Sequence, residues 1–311
     1  MKKPLTLLTF LLAASASLSA AAKSDRPNIV FILADDIGIP GIGCYGGDFK
    51  TPNIDALAAG GIRFDHCFAA PLCAPSRAMC MTGRYAFRTG VINNGTGAKA
   101  SPQREVCIAR MLKQAGYATA VAGKWRQLSY FTSREDGLAW GFDEFLIWGV
   151  DNAGEKDNRY WNPVYNHNGQ PLADTNGKYG PDLLHEFVVG FTRRHRDQPF
   201  FVYYPMPLIH RPIERTPDSP PGRAGDKALY PDTIVYLDKL VGKLVAELDT
   251  LRLREKTLIV FAGDNGSVGQ GVVHGRVIDG HKGLLNEGGS RVPLIGAERP
   301  GGLHRFLSHF R

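Results

Sequence analysis

A cysteine, a proline and an arginine stand close together in Leu72-Cys73-Ala74-Pro75-Ser76-Arg77-Ala78-Met79-Cys80-Met81-Thr82-Gly83-Arg84-Tyr85. The run reads as a short loop opening a helix. Pro75 suits a first helical turn, where its missing N–H costs nothing, Ala78 to Met81 can continue the helix, and Gly83 can stop it. Cys73 then lies beside a helix N-terminus, where free N–H groups and the helix dipole favour an anion, and Arg77 adds a fixed positive charge one turn on. A thiol so placed is suited to be an activated nucleophile, or a residue processed into something else. The plain alternative is a buried structural cysteine.

Two pairs of acidic or amide residues stand elsewhere. Ile29 to Leu33 is a continuous, partly β-branched apolar run, the mark of a central strand covered on both faces, and it ends in Asp35-Asp36. Thr257 to Ala262 is a second such run and ends in Gly263-Asp264-Asn265-Gly266. Carboxylates at the end of a buried strand are costly unless paired or bound to a metal, although Asp and Gly are also ordinary turn residues. Adjacent side chains usually diverge, so a metal at either pair must draw ligands from elsewhere. Asp35, Asp36, Asp264 and Asn265 together make an all-oxygen set, which suits Ca²⁺ or Mg²⁺ better than zinc. Sites in open α/β sheets lie just beyond the carboxyl ends of strands.

The Cys-x-Pro-Ser-Arg run with Thr82-Gly83-Arg84 at its distance resembles the signature of the sulfatase family, within the alkaline phosphatase superfamily. So do Thr51-Pro52-Asn53-Ile54-Asp55, Gly123-Lys124-Trp125, Asp264-Asn265-Gly266 and Lys-Gly-x-x-x-Glu-Gly-Gly-x-Arg-Val-Pro at 282–293, in the same order. The resemblance implies an α/β fold with a large central mixed sheet flanked by helices. It also implies that Cys73 is oxidised to a Cα-formylglycine by a maturation enzyme. A calcium ion would be held by Asp35, Asp36, Asp264, Asn265 and residue 73. Arg77 would steady the formylglycine, and Lys124, His210 and Lys282 would contact the sulfate and the leaving oxygen. In that chemistry the hydrated aldehyde offers two hydroxyls. One attacks sulfur and displaces the alcohol, and the other loses its proton so that sulfate leaves as the aldehyde returns. The substrate would be a sulfated small molecule or glycan. The alternatives are a phosphonate or phosphodiester hydrolase of the same superfamily, or a non-catalytic binder of sulfated glycans. In many family members His follows Gly-Lys-Trp, whereas here Arg126 and Gln127 follow.

The elements that must position these residues are legible in part. Helices are expected at 51–58, 104–115, 181–195 and 229–251, the last with one apolar face, and strands at 117–122 and 199–204. Residues 126–180 lack a clear period and read as long surface loops, and 214–227 as a Pro- and Gly-rich loop. Alternating strands and helices argue for a doubly wound α/β core.

The chain has 311 residues with 43% hydrophobic and 22% charged, and a formal charge of +7. No long basic run points to nucleic acid. Residues 1–22 have the look of a secretory leader, with Lys2 and Lys3, an apolar Leu5–Ala16 core and an Ala20-Ala21-Ala22 cleavage site. No cysteine follows it to take a lipid, so the expectation is a periplasmic or secreted protein without a membrane anchor. Residues 23–295 are expected to form the catalytic domain, with 296–311 an atypical tail and the family's C-terminal subdomain missing. The strand entered at Val292-Pro293-Leu294-Ile295 is then expected to lose neighbours and expose its apolar side. The five cysteines, Cys44, Cys67, Cys73, Cys80 and Cys107, are odd in number, Cys73 being the natural unpaired one.

Overall fold

The computed structural model describes residues 26–125, 127–148 and 158–297. The leader at 1–22, Arg126 and the tail beyond Ala297 lie outside the described residues.

In chain order the elements are β1 (Asn28–Ala34), α1 (Pro52–Ala59), β2 (Ile62–Arg63), α2 (Cys73–Thr82), α3 (Ala86–Thr89), α4 (Ile108–Gln114) and β3 (Ala118–Lys124). Next come α5 (Arg134–Trp140), β4 (Glu144–Trp148), β5 (Asn166–His167), β6 (Gln170–Pro171), α6 (Gly180–Arg194) and β7 (Phe200–Met206). The last are α7 (Asp226–Thr250), β8 (Thr257–Gly263), β9 (Val272–Val273), β10 (Arg276–Val277), α8 (Glu287–Ser290) and β11 (Leu294–Ala297).

A nine-stranded sheet runs β2-β11-β8-β1-β7-β3-β4-β5-β6, and β9 and β10 form a separate hairpin. Strands β8, β1, β7, β3 and β4 are parallel, and the outer strands on both sides are antiparallel. The sheet is therefore mixed, with a parallel centre. Every residue of β7 is buried, as a strand covered on both faces requires. On one face Val30 and Ile32 pack with Ile54 and Leu57 of α1, Leu184 and Val188 of α6, and Leu237, Leu240 and Leu244 of α7. On the other, Leu33, Val121, Phe145 and Tyr203 pack with Ala74, Ala78 and Met81 of α2, Ala109 of α4 and Trp140 of α5. Alternate strand residues thus feed two cores, as a two-residue side-chain period dictates.

Several expectations need correction. The 104–115 helix starts only at Ile108. Glu105 is buried against Arg84, and Arg110 donates to the Pro102 and Glu105 carbonyls, so the chain turns before the helix begins. The 126–180 stretch is not simply loops, because its described part holds α5 and the buried strand β4. Ser133 and Asp136 form a capping box that opens α5, and Phe145 to Trp148 is a short apolar run of strand length. The strand after Val292 does not lose its neighbours. It continues to Ala297, pairs with β8 on one side and β2 on the other, and buries Ile295. All five cysteines are free, and Cys80 is exposed. No described helix is long and apolar enough to cross a membrane.

Candidate active site

The carboxyl edge of the parallel strands collects the chemistry-bearing residues. Asp35 and Asp36 follow β1, Asp264 and Asn265 follow β8, Lys124 ends β3, and His210 lies four residues past β7. Helix α2 presents Cys73 at its first position and Arg77 one turn on, and Lys282 comes from the loop between β10 and α8. Backbone hydrogen bonds stitch these segments together. Asp35 N–H donates to Leu208 O, Ile209 N–H to Asp35 O, Asp264 N–H to Ala34 O and Gly283 N–H to Pro71 O. Gly123 has φ +130°, and a Cβ there would sit 2.0 Å from Pro205 O, so only glycine brings β3 this close to β7 just before Lys124.

Asp36 adopts φ 59°, a left-handed turn that Asp tolerates, and its N–H donates to Asp264 Oδ1 at 2.9 Å. That turn overcomes the divergence of adjacent side chains. Cys73 Sγ lies 3.4 Å from Asp35 Oδ1 and 3.5 Å from Asp36 Oδ1. One ligand atom from each of Asp35, Asp36, Cys73 and Asp264 fits within 4.8 Å of the others, and His210 joins Asp35 and Cys73 within the same limit.

Each carboxylate has its own cation. Lys124 Nζ reaches the two Asp35 oxygens at 2.9 and 2.7 Å, Arg77 Nε reaches Asp264 Oδ2 at 2.7 Å, and Lys282 Nζ reaches Asp36 at 2.6 and 2.7 Å. Burial raises the Asp35 carboxyl, but Lys124, His210, Arg77 and Lys282 outweigh it and hold Asp35 well below the usual carboxylate range. Burial, with Asp35 and Asp36 adding and Arg77 opposing, pushes Asp264 up to about 6. Burial disfavours the Lys282 cation, yet Cys73, Asp36 and Asp35 together keep it protonated above its ordinary range.

His210 is pushed down to about 4, chiefly by burial. Its Nδ1 lies 2.7 Å from Arg211 O, which can only accept, so Nδ1 carries the proton and the neutral ring leaves Nε2 as an acceptor. The Cys73 thiol is raised well above its ordinary range by burial, with Asp264, Asp35 and Asp36 adding and Lys124 opposing. Burial and the neighbouring carboxylates thus oppose the thiolate form that a helix N-terminus would favour.

All the residues singled out in the sequence, Asp35, Asp36, Cys73, Arg77, Lys124, His210, Asp264, Asn265 and Lys282, meet in this one place. The donor set fits a hard divalent cation. Asp35, Asp36 and Asp264 are buried oxygen donors, and Asn265 Oδ1 is buried with no hydrogen-bond partner among the described residues, while its Nδ2 donates to Asp36 Oδ1 and Gly266 O. Gln127 is fully buried, while Arg126 lies outside the described residues.

Other residues here escaped the sequence reading. Tyr160 O–H reaches His210 O at 2.7 Å and Pro207 O at 3.1 Å, and Trp148 stacks edge-on to His210 at 5.9 Å. Asn94 Oδ1 accepts from Ala74 N–H at 3.0 Å. Only the turn composition Asn93-Asn94-Gly95 marks that last region in the sequence.

Comparison with known proteins agrees with this geometry. A family profile described as Sulfatase matches residues 27–301. The chain is 32% identical to arylsulfatase A of Homo sapiens, over 96% of this chain and 64% of that protein. It is 31% identical to N-acetylgalactosamine-6-sulfatase of Canis lupus familiaris, over 92% and 59%. The crystal structure of Ps i-CgsB in complex with k-i-k-neocarrahexaose superposes with a TM-score of 0.74 at 29% identity, covering 89% of this chain and 67% of that one. The chain spans about three-fifths of the length of the curated relatives it matches.

Proposed function

The chain belongs to the sulfatase family, and from that premise we propose that it hydrolyses sulfate esters at residue 73, with a calcium ion beside it. One observation carries the proposal. Cys73, itself buried, lies against Asp35 and Asp36 in a cluster where three carboxylates are matched by Lys124, Arg77 and Lys282.

Asp35, Asp36, Asp264 and Asn265 would hold the calcium, which when bound neutralises carboxylate charge and polarises a sulfate oxygen. The Cys73 sulfur stands where an oxygen of the converted residue would be, and a hard cation prefers that oxygen to sulfur. Formylglycine at position 73 would supply a hydrated aldehyde with two hydroxyls, one to bond to sulfur as the bond from sulfur to the alcohol oxygen breaks, the other to lose its proton so that sulfate can leave and the aldehyde return.

The chain's own residues do the rest. Lys124 and Lys282, paired with Asp35 and Asp36, would turn their charge to the sulfate oxygens. Arg77, buried between Asp264 and Asp35, holds the metal-side carboxylates and the helix in register. His210 is neutral beside its cations. Its free Nε2 would take the proton released as the residue-73 hydroxyl attacks sulfur and hand it to the oxygen of the leaving alcohol as the sulfur–oxygen bond breaks. A tyrosine hydroxyl behind it, Tyr160, fixes the backbone that carries it.

The substrate class we infer is a sulfated carbohydrate or an aryl sulfate. The names of the relatives and the oligosaccharide bound to the structural neighbour support it. The leader-like residues 1–22 support action outside the cytoplasm. The test is sulfate release from an aryl sulfate and from sulfated oligosaccharides, using the full chain co-expressed with a formylglycine-generating enzyme. Turnover that vanishes in Cys73→Ala is expected. Turnover retained in that variant would overturn the proposal.

A further inference from the structure

Helix α2 carries the nucleophile position but has no cap of its own. Leu72 precedes it in an extended conformation and offers no side-chain acceptor. Its first turn holds few open donors. Pro75 has no N–H, and Ser76 N–H already donates to Leu72 O at 3.3 Å. That leaves Cys73 and Ala74. Asn94 Oδ1 takes the Ala74 N–H at 3.0 Å from a different loop. The Cys73 N–H has no partner among the described residues.

The loop that delivers Asn94 is braced against itself. Val91 is fully buried. Ile92 and Asn93 N–H both donate to Thr96 Oγ1, at 2.9 and 3.1 Å, and Thr96 Oγ1 donates to Asn93 O at 2.9 Å. Gly95 N–H donates to Asn93 Oδ1 at 2.9 Å. The turn is thus closed by Asn93 and Thr96, and the residue it displays is Asn94.

We propose that Asn94 is a positioning residue for the nucleophile: it caps α2 across space, fixes the first helical turn, and leaves the residue-73 N–H as the one open donor of that turn. The role rests on the assignment of residue 73 as the nucleophile. An Asn is a good acceptor for a helix N-terminus, and an Asp is as good or better. The two substitutions therefore separate the cap from the amide group.

The test measures hydrogen exchange in the peptide spanning 72–82 of the full chain, together with kcat and KM on an aryl sulfate. In Asn94→Ala the first-turn amides should exchange about five-fold faster, the effect of a lost cap. Its kcat should fall roughly ten-fold with KM little changed, because the nucleophile is displaced rather than the anion site lost. Asn94→Asp keeps the acceptor and should restore both exchange and kcat, while its added charge raises KM for the anionic substrate. Unchanged exchange in Asn94→Ala overturns the cap. A kcat as low in Asn94→Asp as in Asn94→Ala overturns positioning through the acceptor. A wild-type chain without turnover overturns the hydrolase assignment instead, and the exchange comparison still decides the cap.

Discussion

Replacing Arg77 by Met should cost far more stability than a typical substitution. Arg77 is fully buried, with Nε 2.7 Å from Asp264 Oδ2 and Nη2 3.5 Å from Asp35 Oδ1, and both carboxylates are fully buried too. A methionine of similar length fills much of the volume, so the loss is mainly electrostatic. Removing one partner of a buried pair leaves an uncompensated charge and costs about 3–5 kcal/mol. Asp264 already sits at about 6 with the guanidinium beside it, so without Arg77 it moves further up and is largely protonated near neutrality. In a domain of this size each kcal/mol lowers Tm by about 2–4 °C, so a fall of roughly 6–20 °C is expected in calcium-free buffer. Urea unfolding gives the same quantity independently. The double variant Arg77→Met with Asp264→Asn should be more stable than Arg77→Met alone, since the stranded carboxylate is gone. A single variant within about 1 kcal/mol of wild type, or a double variant with strictly additive losses, would refute this account of the buried pair.

Removing calcium should lower Tm by about 5–10 °C, the size expected when a ligand held at a hundred times its Kd is withdrawn, and calcium but not sodium should restore it. A melting curve indifferent to chelation and re-addition contradicts the metal assignment. Lys282→Ala should lower kcat by about 100-fold or more if, as proposed, its charge is turned to the sulfate oxygens, and steady-state kinetics on an aryl sulfate will read this. His185 lies away from the site, and burial pushes it down to about 4. Its folded-state value is thus below the unfolded one, so its contribution is present above about 6.5 and is lost as pH falls from there toward 4. His185→Gln should flatten the stability profile in that window, and an unchanged profile would show that other groups set it.

Much of the site was legible because its residues sit at fixed points of strong local patterns. Two buried strands announced Asp35 and Asp264 through continuous apolar runs, and helix α2 announced itself through Pro75 and Gly83. The convergence of Asp36 was not legible, because it depends on a left-handed turn that any Asp-Gly-rich stretch could accommodate in several ways. Strand β4 was hidden among Gly, Asn and aromatic residues, and only its partner β3 makes Phe145 to Trp148 a strand. Residues 104–107 look helical by composition, yet the Arg84–Glu105 pair pulls them into a turn. The fate of the Val292 strand depended on β2, a pairing of two residues with no sequence signature of its own. Asn94 acts through one hydrogen bond to a residue twenty positions away, and nothing local marks that contact.

The most direct test of the central claim is the mass of the peptide containing residue 73, measured on protein preparations of graded conversion, beside their turnover of an aryl sulfate. Conversion of the thiol to the aldehyde removes about 18 Da. The account predicts that kcat rises in proportion to the converted fraction and extrapolates to zero at none. Full turnover by protein whose residue 73 is an unmodified cysteine would contradict it.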